Sequence, residues 1–279
     1  MTADPFKKAL LRVLQYAMAI GLMVYSGFPI YYMMVSSVRP PQEFLKTNAL
    51  IPTKISWDFY RTLTSRTDFV QQFMNSFIVA FGTVAITIVV SIVIAYIVAR
   101  YKVRGKTIIV GLMLYAYMFP PLFLAIPLVS IFAQLGLTDT LVSVIVAHVT
   151  ISLPLGVWFL WGFFKAMPFE LEEAAMVDGC TRAAAFLRVV LPLSLPGIIT
   201  VGTFSFLLSW SDYTFAVVLL SSDSVKTIPL GLASLLGTYD FRWGEVMAGA
   251  TLVALPLFLL FTLFSRYFIA GMAAGALKG

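Results

Sequence analysis

The fold class is decided by one uncharged run, Phe69–Ala99, which reads FVQQFMNSFIVAFGTVAITIVVSIVIAYIVA. A helix needs about 20 apolar residues to cross the hydrocarbon core of a bilayer, and this run is long enough. Other uncharged stretches lie at Val13–Val38, Thr107–Thr138, Thr140–Phe164, Val189–Ser211 (continuing past Asp212 through Tyr213–Ser222) and Val246–Phe264. The pattern predicts an all-α, polytopic membrane protein with six transmembrane helices.

The composition excludes most soluble classes. Of the 279 residues, 60% are hydrophobic and only 11% are charged, whereas soluble domains are about 25% charged. The mean hydropathy of +0.94 is too high for a soluble enzyme, a disordered chain or a nucleic-acid-binding module. A single cysteine, Cys180, excludes a disulfide framework, and a single histidine, His148, argues against a zinc site. We expect no metal site and no catalytic residue.

Lysine and arginine predict the orientation, because cytoplasmic loops of membrane proteins carry an excess of both. The larger set lies in the two termini and in the second-to-third and fourth-to-fifth loops: Lys7, Lys8, Arg12, Arg100, Lys102, Arg104, Lys106, Lys165, Arg182, Arg188, Arg266 and Lys278. The opposite loops hold Arg39, Lys46, Lys54, Arg61, Arg66, Lys226 and Arg242. The cations of the first outer loop weaken this contrast, but the dense Arg100–Lys106 cluster outweighs them. We expect both termini to be cytoplasmic and the first span to remain as an anchor, not as a cleaved signal peptide.

Two of the long stretches contain polar or proline-broken pieces. The Phe69–Ala99 stretch begins with a polar piece, Phe69–Asn75. Pro120, Pro121 and Pro127 interrupt the Thr107–Thr138 stretch. We therefore expect one helix plus irregular flanking backbone in each. Such backbone is tolerated in a membrane only where protein or a water-filled cavity covers it.

A polar loop interrupts the apolar pattern between the fourth and fifth spans. Lys165–Pro192 reads KAMPFELEEAAMVDGCTRAAAFLRVVLP. Pro168 is suited to start a helix, whose N-terminal end Glu170, Glu172 and Glu173 favour through the helix dipole. Gly179 predicts a stop or sharp turn, followed by a second helix, roughly Thr181–Val190, that ends at Leu191-Pro192. The small side chains of Ala174 and Ala175 allow another protein surface to approach the backbone.

This loop resembles the coupling loop of permease subunits in binding-protein-dependent ABC importers. Glu173-Ala174-Ala175, Gly179, Val189 and Leu191-Pro192 match the pattern E-A-A-x3-G-x9-I-x-L-P, with Val189 in place of isoleucine. Asp178-Gly179 is similar to the carbohydrate-transporting branch, where D-G-A is frequent; Cys180 replaces the alanine. The resemblance extends to Asn75-Ser76, Ser209-Trp210-Ser211-Asp212-Tyr213, Ile228-Pro229-Leu230-Gly231-Leu232, Arg266-Tyr267-Phe268, Gly271 and Gly275-Ala276-Leu277-Lys278-Gly279. Over nearly its whole length the chain is similar to the smaller of the two permeases in maltose- or glycerol-phosphate-type systems.

The resemblance implies a single transmembrane domain over residues 1–279 with the type I ABC importer permease fold, in a bacterial inner membrane. Its partners would be a second, related permease, two ATPase subunits that bind ATP and Mg, and an external solute-binding protein. The solute would be a sugar, an oligosaccharide or a polyol. The residues implied in coupling to the ATPase are Glu173, Ala174, Ala175, Met176, Asp178, Gly179, Leu191 and Pro192. The outer loops, about 36–70 and 221–245, are candidate contacts for the binding protein or simple connectors.

Several residues keep more than one interpretation. The coupling loop could be an ordinary amphipathic connector, and Glu173 a solvated charge at a helix N-terminus. Asp212 is a candidate for helix capping, for cavity lining or gating together with Trp210 and Tyr213, or for proton coupling. We interpret His148 as an interhelical hydrogen-bonding residue. Trp158 and Trp161 are interfacial anchors or, since sugar rings stack on aromatic side chains, part of a translocation path.

Two other functional classes are less well supported. A secondary transporter driven by an ion gradient is expected to carry several ionisable residues within the membrane, and this chain offers Asp212 and His148 only. Gly105-Lys106-Thr107 imitates the end of a phosphate-binding loop, but Arg100 stands where that motif requires its first glycine. We therefore expect ATP to bind to another subunit.

Overall fold

The computed structural model describes residues 5–44, 50–237 and 242–276, with side chains described for 11–44, 50–237 and 242–265. Lys46 and Leu277–Gly279, which contributed to the orientation or the resemblance, lie outside the described residues. The helices are, in chain order, α1 Pro5–Ser37, α2 Pro41–Phe44, α3 Asp58–Arg66, α4 Phe69–Arg100, α5 Lys106–Tyr117, α6 Pro121–Gln134, α7 Leu141–Ala166, α8 Glu170–Val177, α9 Arg182–Ala185, α10 Leu191–Leu193, α11 Leu195–Trp210, α12 Thr214–Leu219, α13 Ile228–Ser234 and α14 Trp243–Ala276. The predicted all-α fold is confirmed.

Six candidate spans follow from these helices. Four segments are each long and apolar enough to cross a bilayer: Leu11–Ser37, Phe69–Arg100, Leu141–Ala166 and Trp243–Ser265. Two bent pairs of helices are the other candidates, α5 with α6 at 95° and Arg182–Leu193 with α11 at 69°, each of which is either a broken span or a re-entrant loop. Pro120 and Pro121 lie at the first bend, where proline removes a backbone donor and restricts the preceding residue. The predicted proline break is confirmed, but the expectation of one helix in this stretch is wrong, because the chain forms two helices, α5 and α6, on either side of the bend.

The expectation of irregular backbone at Phe69–Asn75 is wrong, because α4 is helical from Phe69 onward. The side chains of Asn75 and Ser76, at the end of this segment, are buried and hydrogen-bonded instead. The Asn75 amide donates to the carbonyl oxygens of Ser224 and Lys226, both at 2.9 Å, and Ser76 Oγ accepts the Ile228 N–H at 2.8 Å. Polar residues in the first turns of α4 therefore hold the segment before α13 by hydrogen bonds. These bonds bring Asn75-Ser76 into contact with the start of the Ile228–Leu232 motif.

The chain forms two units. The first comprises Met1–Thr67 and Leu232–Ala254. Within it, Ser56 N–H donates to the Val38 carbonyl at 2.8 Å, and Tyr60 OH lies 2.8 Å from Ser37 Oγ. A Cβ added to Gly244 would lie 2.1 Å from the Phe59 ring, so this glycine permits the close approach of the N-terminal end of α14 to α3.

The second unit comprises Asp68–Gly231 and Leu255–Gly279, and its core lies along α4, α7 and α11. One apolar cluster packs α6 and α12 against α4 and α7 around Phe132, Ala147 and Phe215. Another apolar cluster surrounds Ala95, Leu160 and Phe164 near the opposite ends of α4 and α7. α7 and α4 approach each other closely at Gly156, where an added Cβ would lie 2.5 Å from Ser91 Oγ.

Substituting Gly156 tests this close approach. Gly156→Leu should lower the free energy of unfolding in detergent by about 1–3 kcal/mol, since the side chain must displace Ser91 and Val201. Gly162→Leu on the same helix is the matched control, because Gly162 is exposed and nothing lies within 4 Å of its added Cβ. Equal thermal unfolding curves for the two variants would contradict the packing.

Candidate functional site

The loop between α7 and α11 contains the two short helices that the sequence predicts. The first begins at Glu170, two residues later than the predicted start at Pro168, since the intervening Phe169 is its N-cap residue. It ends in a Schellman motif, in which Gly179 N–H donates to the Met176 carbonyl at 3.1 Å and Cys180 N–H to the Ala175 carbonyl at 3.0 Å. Gly179 has φ +90°, a conformation that glycine adopts without steric cost. The glycine turn is confirmed.

The second helix is longer than predicted. Thr181 is its N-cap, accepting the Ala184 N–H at 3.2 Å. The chain passes through a π-helical turn, Phe186–Val190, into α10, so the helix ends at Leu193, one residue after the predicted end at Leu191-Pro192. Leu191 N–H bonds back five residues to Phe186, which lets the helix accommodate Pro192, a residue without an N–H. The chain bends only at Ser194, whose hydroxyl donates to the Val190 carbonyl at 2.6 Å.

One side of α8 faces solvent. Glu173 and Ala174 are exposed, Ala175 and Met176 are half-buried, and Val177 is 87% exposed at the end of the helix. Asp178 and Gly179 are also exposed, whereas Leu191 is half-buried and Pro192 exposed further along. Most of the residues assigned to coupling by the resemblance therefore form one accessible surface beside the glycine turn.

The opposite side of α8 carries a buried carboxylate that sequence reasoning missed. Glu172 is 1% exposed, its Oε1 lies 2.5 Å from Arg100 Nε, and its Oε2 accepts the Tyr96 hydroxyl at 2.7 Å. The three glutamates of this segment look equivalent in sequence. Their positions could have separated them. Glu172 is adjacent to Glu173, and neighbouring residues of a helix point in directions about 100° apart, so the two side chains cannot share one face.

A second polar cluster lies at the other end of α11. His148 on α7 is 1% exposed; its Nδ1 lies 2.9 Å from Ser209 Oγ and its Nε2 lies 3.1 Å from Asp212 Oδ2. Asp212 also accepts the N–H groups of Phe215 at 3.1 Å and Ala216 at 3.2 Å. These bonds match the capping interpretation of Asp212 and the interhelical interpretation of His148. Among the described residues, no group of three His, Cys, Asp or Glu side chains is placed to hold a metal ion.

The two aromatic residues predicted beside Asp212 lie in different environments. Trp210 is fully buried, and its ring centroid lies 4.7 Å from that of Phe77 and 5.3 Å from that of Phe206. Tyr213 is 45% exposed. A gating role for these residues stays a prediction.

A cavity of about 630 Å³ lies between α5, α7 and α11. Four aromatic side chains line it, together with three serines and apolar groups: Tyr117, Trp158, Phe159, Phe204, Ser152, Ser205, Ser211, Leu155, Gly156, Val201, Leu207 and Leu208. Its size suits a small-molecule ligand. Trp158 lines this cavity, whereas Lys165 Nζ lies 5.0 Å from the centroid of the Trp161 ring. The two tryptophans, treated alike in sequence, therefore have different surroundings.

Asp139, in the turn between α6 and α7, forms hydrogen bonds with the segment after α12. Its carboxylate accepts the Ser221 N–H at 2.7 Å, the Ser222 N–H at 3.0 Å and the Ser222 hydroxyl. These bonds, the Ser222 hydroxyl first, hold the pKa of the Asp139 carboxyl below its usual value. Asp139 has φ +58°, which is uncommon for a residue other than glycine.

Comparison with known families identifies the chain. The family of binding-protein-dependent transport system inner membrane components matches residues 88–274. The chain belongs to this family. It is therefore a multi-pass inner-membrane permease, a transport subunit, as the resemblance implied.

Curated relatives span the permease almost completely. It is 33% identical to the inner membrane ABC transporter permease protein YcjP of Escherichia coli, covering 98% of this chain and 99% of that one. It is 34% identical to the diacetylchitobiose uptake system permease protein DasC of Streptomyces coelicolor, over 94% and 95% of the two chains. The trehalose transport system permease protein SugB of Mycobacterium tuberculosis is 32% identical, with 91% and 93% covered.

The fold is also found in a solved structure. A chain of a bacterial ABC transporter that imports the acidic polysaccharide alginate aligns with a TM-score of 0.80, covering 96% of the permease and 100% of that chain. At 17% identity this likeness concerns the fold alone. It supports the predicted importer permease architecture.

Asp212 gives a test of the polar cluster near the end of α11. Asp212→Leu should lower the free energy of unfolding by about 2 kcal/mol, because it removes the cap of α12 and leaves His148 without this partner. Asp212→Asn should lower it by less than about 1 kcal/mol, since asparagine caps helices as well as aspartate does. Thermal unfolding of the purified permease measures both, and equal losses would contradict the capping role.

Proposed function

We propose that this permease imports a carbohydrate at the expense of ATP hydrolysed by partner subunits. Several relatives with 30% to 34% identity are named as transporters of sugars or sugar derivatives, including trehalose, diacetylchitobiose and arabinooligosaccharides. The assembly would contain a second permease, two ATPase subunits and an external solute-binding protein. A neighbouring alginate transporter structure includes a periplasmic protein with bound pentasaccharide, which supports this arrangement.

The observation that carries the coupling proposal is the exposed surface of α8 beside a fixed glycine turn. Glu173, Ala174 and Val177 present a carboxylate, a small side chain and an apolar side chain to solvent on one short helix. Such a surface suits insertion into a cleft of another protein, since the alanine permits close backbone approach. In the proposed mechanism the ATPase clefts move when ATP binds, and each displaces one such helix.

The orientation follows from the same proposal. The α8 surface must face the ATPase, so it lies in the cytoplasm together with the cation-dense segment around Lys102 and both termini. ATP and Mg would bind to the partner subunits. In agreement with this, Gly105 and Lys106 form the direct start of the apolar helix α5, not a strand-to-helix phosphate loop.

The cavity between α5, α7 and α11 is the proposed contribution of this chain to the translocation path. Trp158 and Phe159 offer aromatic faces for the apolar face of a sugar ring, and serines line the same space. The hydroxyls of Ser152 and Ser205 already bond within the protein, to Thr87 and Val201. Because a hydroxyl that donates one hydrogen bond can still accept another, contacts with the sugar would combine stacking with hydrogen bonds from sugar hydroxyls to these serines.

Gly179 tests the coupling role of the loop. Gly179→Val should reduce ATP-dependent uptake at least about tenfold, because a β-branched residue disfavours φ +90° and changes the turn beside the exposed surface. Gly136→Val is the matched control, since Gly136 also has positive φ (+66°) but lies in the turn between α6 and α7. Membrane insertion and complex recovery should persist in both variants, and uptake only in the control.

The measurement uses vesicles containing the complete complex and its binding protein. Calorimetry with trehalose, maltose and diacetylchitobiose first selects the sugar, and radiolabelled uptake is then followed with ATP on the cytoplasmic side. Wild-type uptake in Gly179→Val would contradict the coupling role. Uptake that survives ATP removal but is abolished by an uncoupler would instead favour the rival ion-driven transporter.

Trp158 tests the cavity. Trp158→Ala should lower the maximal uptake rate about three- to tenfold by removing about 1 kcal/mol of stacking, while ATPase stimulation by the loaded binding protein persists. Trp161→Ala on the same helix is the control and should change uptake less. Equal effects of the two variants would favour the interfacial-anchor interpretation of both tryptophans.

A further inference from the structure

We infer that Glu172, Arg100 and Tyr96 form a positioning cluster that transmits the movement of α8 to the membrane-spanning helices. This inference rests on the proposed function and adds residues that neither the family pattern nor the relatives assign to coupling. The surface that would meet the ATPase is the exposed side of α8. The cluster is on its buried side and connects that helix to the end of α4.

The geometry of Glu172 is that of a fixed attachment. The two carboxylate oxygens have different partners: Oε1 lies 2.5 Å from Arg100 Nε in an ion pair, and Oε2 accepts a hydrogen bond from the Tyr96 hydroxyl at 2.7 Å. The side chains of Glu172 and Arg100 are 1% and 9% exposed. A buried charge pair keeps its partners because separating it leaves an uncompensated charge away from water. Glu172 therefore resists displacement relative to α4.

Arg100 extends the attachment to the connector between α7 and α8. It is the last residue of α4, and its Nη1 donates to the Met167 carbonyl at 3.1 Å. Its guanidinium also lies 5.5 Å from the centroid of the Phe169 ring. Met167 is the C-cap of α7, and Phe169 is the N-cap of α8. One side chain thus contacts the end of one helix and the beginning of the next.

Tyr96 contacts the rest of the loop. Its ring centroid lies 4.4 Å from that of Phe186, in the π-helical turn after the second loop helix, and 5.9 Å from that of Phe164 near the end of α7. Its hydroxyl meanwhile donates to Glu172 on α8. Through Tyr96 and Arg100, both arms of the loop on either side of Gly179 are held against α4 and α7.

This arrangement determines which helices a displacement of α8 would move. The loop has two points at which its backbone can turn, the glycine at position 179 and the break at Ser194. If only its covalent connections to α7 and α9 held α8, a force on its exposed side would rotate α8 about the segment that joins it to α7, and α4 would not move. With Glu172 held by Arg100 and Tyr96, the force acts on α4 and, through its packing with α7, on the two helices that line the core of this unit.

The test separates coupling from assembly. In vesicles with the complete complex, the number of sugar molecules imported per ATP hydrolysed should fall about tenfold in Glu172→Gln, with ATP hydrolysis within about twofold of wild type. Tyr96→Phe removes one hydrogen bond only and should cause a smaller loss in the same direction. Glu170→Gln is the matched control, because Glu170 lies in the same helical turn but is exposed. Its ratio should equal that of wild type.

Each result has one meaning. An unchanged ratio in both Glu172→Gln and Tyr96→Phe, in a complex whose wild-type uptake requires ATP, overturns the inference and leaves the proposed function intact. Loss of complex recovery in both variants also overturns it, because the cluster would then serve assembly. Wild-type uptake that does not require ATP would contradict the proposed function itself. The probe is radiolabelled trehalose, or the sugar of the calorimetric panel that the binding protein retains.

Discussion

Within a bilayer, every backbone N–H and C=O group must find its partner inside the protein, and the breaks in these helices are placed accordingly. At the bend before α11, the hydroxyl of Ser194 bonds to the Val190 carbonyl. After α11, the carboxylate of Asp212 accepts two N–H groups that begin α12. At the start of α4, Asn75 takes two carbonyl groups of the segment before α13. At each of these places, a polar side chain forms hydrogen bonds with backbone groups.

The transmembrane pattern could be predicted because it depends on local composition. Uncharged runs locate the spans, prolines locate the α5–α6 break, and glycine with its preceding helix locates the turn at position 179. These features need only neighbouring residues. The error at Phe69–Asn75 has the same origin: polar residues near a helix start look like loop residues until the distant carbonyl groups that bind Asn75 are known.

The features that were missed depend on contacts between distant parts of the chain. Glu172 differs from Glu173 only through Arg100 and Tyr96, which precede it by more than seventy residues in the sequence. Trp158 differs from Trp161 because it lines the cavity between α5, α7 and α11, whereas the Trp161 ring lies beside Lys165 Nζ. The π-helical turn was missed because five-residue bonding gives no periodic signal in so short a segment.

That π-helical turn changes how the loop's spacing should be understood. An α-helix rotates about 100° per residue, and a π turn accommodates one residue more than the α-helical repeat without a matching advance along the axis. The faces of the helix before Phe186 and after Val190 are therefore out of register by about one residue. The nine residues between Gly179 and Val189 include this extra position. Their number therefore determines the direction in which Leu191 and Pro192 point, as well as their distance from α8. Deleting one of them would turn Leu191 and Pro192 to a different azimuth relative to α8, even if the chain remained helical throughout.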